Sequence, residues 1–85
     1  MQKELLGKKL LIRTVTYFSV GKVEQVEDGF IKLSTASWIA DTGRFHQAIA
    51  DGKLNEVEPV GEMYVSLGSV VDMFPWTHDL PTEQK

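Results

Sequence analysis

Two histidines, His46 and His78, are the side chains best suited to acid–base or metal chemistry in this sequence, and each has acidic neighbours along the chain: Asp41 and Glu56 for the first, Asp79 for the second. A zinc site needs three or four converging ligands, and neither histidine belongs to a metal-ligand spacing. The chain has no cysteine, which removes disulfides, thiolate metal sites and cysteine nucleophiles together. No Ser-His-Asp order or nucleophile elbow is present, and Gly68-Ser69 is too short to cradle a phosphate. Both histidines are therefore expected to be structural or solvated, with no metal, no cofactor and no catalysis.

Two further sets of side chains have other chemistry. Arg13, Lys22, Lys32 and Arg44 can face phosphates, and Trp38 and Trp76 can act as stacking platforms. Each set has a plainer reading. Acidic residues intersperse the basic ones, as on a solvated sheet face, and large aromatics in so short a chain commonly anchor a core or an interface. Residues 1–44 carry a net charge of +2 and residues 45–85 a net of −5, for −3 in all. A protein that lives on phosphate contacts normally shows a basic patch. Non-specific duplex binding is not expected of so acidic a chain, and a local patch in the first half is left open.

The elements that must position these residues are short. A chain of 85 residues, 42% hydrophobic and 25% charged, forms one small domain over residues 1–85. It can bury only about 60–65% of its unfolded surface, which makes self-association a natural source of further stability. No run approaches the roughly 18 apolar residues that cross a bilayer. Residues 1–4 lead into only two leucines, so there is no signal-peptide core. A soluble, cytoplasmic protein with no membrane partner is expected.

Residues 2–6 are good helix formers ended by Gly7, which gives a short N-terminal helical turn pinned by Leu5 and Leu6. Residues 9–17 are β-branched and aromatic and read as a first strand. In a second strand, over 20–27, Val20, Val23 and Val26 recur every third residue, which a flat strand cannot place on one face. A helix would accommodate that spacing, but Gly21 and the valines favour a bent or bulged strand that brings all three inward. Asp28-Gly29 marks a hairpin turn. It leads into a third strand, 30–39, with Ile31 and Leu33 on one face and Phe30, Lys32 and Ser34 on the other.

A short helix is expected over 42–51. Asp41 and Thr42 are its N-cap candidates, Phe45, Ala48 and Ile49 share one face, and Gly52 closes it. Residues 55–61, punctuated by Pro59 and Gly61, read as an exposed connector. Residues 62–67 form a fourth strand, with Met63, Val65 and Leu67 on one face. After a corner at Gly68, residues 69–74 form a fifth, ending at Pro75. The tail, 76–85, is irregular, with Trp76 and Leu80 packing its start and 82–85 fraying. Five bent strands after a helical turn describe a small, closed or partly open barrel. Left open, its fourth and fifth strands would pair with neighbouring copies into a ring.

These residues resemble the Sm-like family, which includes the bacterial riboregulator Hfq and the archaeal and eukaryotic Sm rings. Leu6-Gly7-Lys8-Lys9-Leu10 looks like the entry to that family's first strand. Gly21-Lys22-Val23-Glu24-Gln25-Val26-Glu27-Asp28 resembles the signature of its bent second strand. Val65-Ser66-Leu67-Gly68-Ser69-Val70-Val71 is similar to a degenerate second motif, a strand-Gly-strand corner. The resemblance covers roughly residues 5–39 and 62–75, with the helix-containing segment as an insertion. Trp38-Ile39-Ala40-Asp41-Thr42-Gly43-Arg44-Phe45 and Phe74-Pro75-Trp76 look like the Sm-like proteins of marine cyanophages, which would place the chain in a host cytoplasm.

The resemblance implies an all-β, Sm-like or SH3-like five-stranded bent barrel that assembles into a homo-oligomeric ring. Its interface would be lined by Tyr64, Val65, Leu67, Val70 and Met73. It also implies single-stranded RNA as ligand, but two pocket residues depart from the family pattern. The loop at Asp28-Gly29-Phe30 lacks the Asn that reads uracil, and Leu67 stands before Gly68 where the family places Arg. Leucine cannot supply arginine's bidentate donors. Phe30 would then stack a base, helped by Lys32, Lys22 or Arg13, in a weak and non-standard site. The alternative is a protein-interaction or structural ring that uses the 42–51 helix as its docking surface.

Overall fold

Leu10, Leu11 and Ile12 stand in succession in strand β1 (Lys9–Thr14), and all three are buried. Adjacent strand residues point to opposite faces, so β1 must be covered on both. The computed structural model describes residues 2–85; Met1, counted in the expected domain, lies outside the described residues. Around β1 lie β2 (Phe18–Glu27), β3 (Phe30–Asp41), helix α1 (Phe45–Asp51), β4 (Glu56–Ser66) and β5 (Val70–Pro75). A 3-10 turn over Gln2–Leu5 precedes them, and another over Leu67–Ser69 joins β4 to β5. The strands form one antiparallel sheet in the order β4-β3-β2-β1-β5, so β4 and β5 are its two margins. The fold is thus small, all-β and open rather than closed, with the expected helical turn and inserted helix present.

Two apolar clusters cover the two faces. Leu10 and Ile12 pack with Val23, Ile31, Leu33 and Val65 in one, which Leu5 also joins. Leu11 packs with Val20, Ile39 and Val57 in the other, beneath Ala48 of α1 and Trp76 of the tail. Leu6, expected to help pin the first turn, is instead largely exposed.

The valine spacing in β2 resolves into a bulge with a different outcome from the one expected. Register slips at Glu24, between the pairs Val23–Leu33 and Gln25–Lys32. One extra residue restores Val26 to the face of Val23. Val20 precedes the slip by an odd step and falls on the opposite face, in the α1 cluster. Only two of the three valines share a face. Gly21 sits where β3 crosses closest: a Cβ there would lie 3.0 Å from the Leu33 Cβ and 3.2 Å from the Ser34 carbonyl oxygen.

Several boundaries differ from expectation: β2 starts earlier, at Phe18, and β3 runs on to Asp41. β1 stops at Thr14, whose hydroxyl and amide both turn back to the Tyr17 carbonyl. α1 starts at Phe45; the Asp41 carboxylate accepts from the Gly43 amide and the Thr42 hydroxyl donates to the Gly43 carbonyl, so neither caps the helix. It ends as expected at Gly52, whose φ of 73° suits glycine and whose amide donates to the Ala48 carbonyl at 2.8 Å.

Residues 56–61, expected as a connector, are the first half of β4. Proline is tolerated there because β4 is a margin strand. Pro59 shares its orientation with Val57, whose backbone points away from β3, so no ladder bond is lost. What Val57 meets on that side is the tail. Its amide and carbonyl exchange bonds of 3.1 and 3.0 Å with Lys85, and Gln84 donates to Glu58. The end of the tail is therefore held to the β4 margin by Gln84 and Lys85 rather than frayed. Further back, Lys9 Nζ donates to the His78 carbonyl at 2.6 Å and the Trp76 indole to the Asp79 carbonyl at 3.2 Å.

Candidate functional site

The face of the sheet that carries Leu11 and Val20 is covered by α1 and the tail at one end only. At the other end, past the bend, it presents Phe30 and Tyr64 to solvent with a partly buried Lys32 between them. The β2–β3 connection is a two-residue turn in which Asp28 and Gly29 both take positive φ, 50° and 82°, the geometry whose twist matches paired strands. The Gly29 carbonyl accepts a 2.8 Å bond from the Leu67 amide. That bond fixes the hairpin tip against the corner between β4 and β5.

Beside this junction lies a surface cavity of about 240 Å³, lined by Gln25, Glu27, Asp28, Phe30, Lys32 and Tyr64. Phe30 is 50% exposed and Tyr64 63%. Lys32 stands directly opposite Tyr64 in the ladder, its ammonium 5.8 Å from the ring centre and 3.6 Å from a Glu62 carboxylate oxygen. The cavity thus offers aromatic faces with one already paired cation, between carboxylates at Glu27 and Asp28. It suits stacking better than phosphate binding.

Of the four residues expected to contact nucleic acid, the structure brings together Phe30 and Lys32. Lys22 is on the same outward face but opposite Lys9, in the β1–β2 ladder. Arg13 is at the β1–β5 ladder, where its guanidinium grips both Asp72 oxygens at 3.0 and 2.5 Å. That hydrogen-bonded pair holds the Asp72 carboxyl below the usual carboxylate range and raises Arg13. Arg44 is exposed at the start of α1. No common basic patch results.

The expected interface residues also divide. Val65 is buried in the first cluster, with Leu67, Val70 and Met73 packed against it, whereas Tyr64 points outward. Tyr64, expected at the interface between copies, is also a wall of the cavity. The alternation Met63-Tyr64-Val65 already placed it outward, but only the pairing of β3 with β4 sets it beside Lys32. Trp76 is a core anchor, 2% exposed, while Trp38 is exposed and packs edge-on against Tyr17 with ring centres 4.4 Å apart. His46 is exposed on α1. His78 Nε2 lies 2.7 Å from the Ile49 carbonyl and joins the tail to the helix. Among the described residues no group of three or more His, Cys, Asp or Glu side chains is placed to hold a metal ion, and no helix is long and apolar enough to cross a membrane.

No protein-family profile matches the sequence, and no curated protein matches it. Solved structures do. The SmAP1 heptamer of P. aerophilum superposes with a TM-score of 0.60 at 20% identity, over 86% of this chain and 84% of that one. An Sm-like protein of Archaeoglobus fulgidus, AF-Sm2, gives 0.60 at 22% identity over 86% and 85%. A heptameric archaeal Sm protein gives 0.59 at 20% over 86% and 91%. At such identities the likeness speaks to architecture: the chain has the Sm-like fold.

Proposed function

We propose that the chain forms a closed homo-oligomeric ring and that the ring binds single-stranded RNA by stacking a base on Phe30 beside Lys32. The ring reading is supported by the sheet's two margins, β5 and the second half of β4, whose outer edges pair with no other strand of the described residues. The tail occupies β4 only near Val57. The part of β4 left bare, residues 61–66, is as long as the six-residue β5, so one copy's β4 can receive the next copy's β5. Such head-to-tail contacts generate a ring when the rotation between copies closes. Two of the solved proteins of this fold are described as heptamers.

The observation that carries the RNA reading is the half-exposed Phe30 in its cavity at the hairpin tip. Stacking contributes about 1–3 kcal/mol per base and tolerates any sequence. Because Lys32 and Arg13 are already paired with carboxylates, few counterions are released. Binding should therefore be weak, with a shallow salt dependence. Titrating fluorescent oligo(U) and oligo(A) at low salt tests this, and absence of binding to either rejects it.

The same ion pairs favour a second reading, a protein-interaction or structural ring. Its docking surface would be the polar side of the 42–51 segment, since Phe45, Ala48 and Ile49 of α1 turn toward the chain's own core. The finer likeness to cyanophage Sm-like proteins, and with it a host-cytoplasm location, rests on the Trp38–Phe45 and Phe74–Trp76 segments alone. Recovery of RNA or of a protein with the ring from its native cell separates the two readings.

A further inference from the structure

A second cavity, of about 380 Å³, opens beside β5 and is lined by Phe18, Phe45, Phe74, Thr42 and Arg13. The three phenylalanines form a chain, with ring centres 5.6 Å apart for Phe18–Phe45 and 5.1 Å for Phe45–Phe74. All three are only partly buried, so each has aromatic surface left to cover. The Arg13–Asp72 pair stands at the rim.

Strand parity says what can reach this cavity. Phe74 pairs with Leu11, and Leu11 with Val20, so Phe74 lies on the face opposite the Val65 cluster. Tyr64 alternates with Val65 and lies on that same face. It is the most exposed aromatic of the chain at 63%, and it sits on the bare part of the opposite margin. When the β4 margin of one copy adds to the β5 margin of the next, a continuous sheet keeps its faces, and Tyr64 is delivered to the side on which Phe74 and its cavity open.

We infer that the occupant of the Phe18–Phe45–Phe74 cavity is Tyr64 of the neighbouring copy, with its hydroxyl at the Arg13–Asp72 rim. This rests on the ring reading and adds to it: in the ring Tyr64 serves the neighbour's cavity, and the stacking site is left to Phe30 and Lys32. The inserted helix becomes part of the assembly surface, because Phe45 of α1 forms a wall of the cavity. Charge is compatible with the contact, since the cations on each side, Arg13 and Lys32, already carry their own carboxylates, Asp72 and Glu62. An aromatic knob entering an apolar pocket with a polar rim is the usual make-up of an interface hot spot.

The test uses the full chain and light scattering across a dilution series. Tyr64→Ala removes an exposed side chain that the single chain does not need, and Phe45→Leu keeps the cavity apolar while removing the ring. Each is expected to raise the concentration at which the assembly dissociates by about tenfold or more, with the dissociated Tyr64→Ala chain unfolding at the same temperature as the dissociated wild-type chain. The double variant should be little worse than either single one, since both remove the same contact. A stable assembly whose dissociation is unmoved by Tyr64→Ala, or for which the two changes simply add, overturns the inference and leaves the ring standing. A wild-type chain that is monomeric at every concentration overturns both.

Discussion

One face of the sheet has two ends with opposite fates. At the α1 end, Leu11, Val20, Ile39 and Val57 are 0% exposed, because a helix and a tail of the same chain lie over them. At the hairpin end the equivalent positions carry Phe30 and Tyr64, 50% and 63% exposed, with a partly buried Lys32 between them. The same strands run through both. The covered end spends α1, Leu54, Trp76 and Leu80 on a second core, which a short chain needs for stability. The bare end places two large aromatics in water, a cost the chain keeps for contacts outside itself.

Substitutions should separate the two ends. Trp76→Ala empties the middle of the covered end and frees the tail. A loss of about 3–5 kcal/mol is expected, measured by urea unfolding, with the β4 margin near Val57 newly exposed to hydrogen exchange. A loss below about 1 kcal/mol would show that the tail is dispensable to the second core. Gly21→Ala acts on the bend between the ends. Its Cβ would press on the Leu33 Cβ and on the Ser34 carbonyl, and backbone cannot yield cheaply, so about 1–3 kcal/mol should be lost. Phe30→Ala belongs to the bare end. Stability should change by less than about 0.5 kcal/mol while oligonucleotide affinity falls by about 1–3 kcal/mol. Unchanged affinity would move the RNA reading away from the hairpin tip.

Much of this division is legible in the residues. Leu10-Leu11-Ile12 does not alternate, and a strand that does not alternate is buried on both sides. Val23 and Val26 announce a bulge, and Phe30 and Lys32 read directly as the outward face of β3. The remainder depends on partners far along the chain. Pro59 and Gly61 look like punctuation until β4 is known to be a margin. The capture of residues 84–85 by Val57 and Glu58 has no local signal at all. Nor can spacing show that Arg13 is claimed by Asp72 and Lys32 by Glu62, which is why the residue types leave a local basic patch open and only folding sets the four cations apart.

The smallest effect lies between the two ends, at the Arg13–Asp72 pair on the rim of the aromatic cavity. The guanidinium hydrogen bond lowers the folded carboxyl's pKa, against a weaker opposing effect of desolvation. The folded state then binds fewer protons than the unfolded one. The pair's contribution is present above the ordinary Asp value of about 3.9 and is lost as pH falls through the folded value. Both side chains are well exposed, 47% and 36%, so the contribution is small and screened by salt. Asp72→Asn should therefore lower the urea midpoint slightly at neutral pH and low salt. The gap to wild type should close as pH falls below the ordinary Asp value and through the lowered folded one, and also in high salt. A gap that persists under both conditions would mean that Asp72 supports the β1–β5 ladder by shape rather than by charge, and that the rim is part of the covered end.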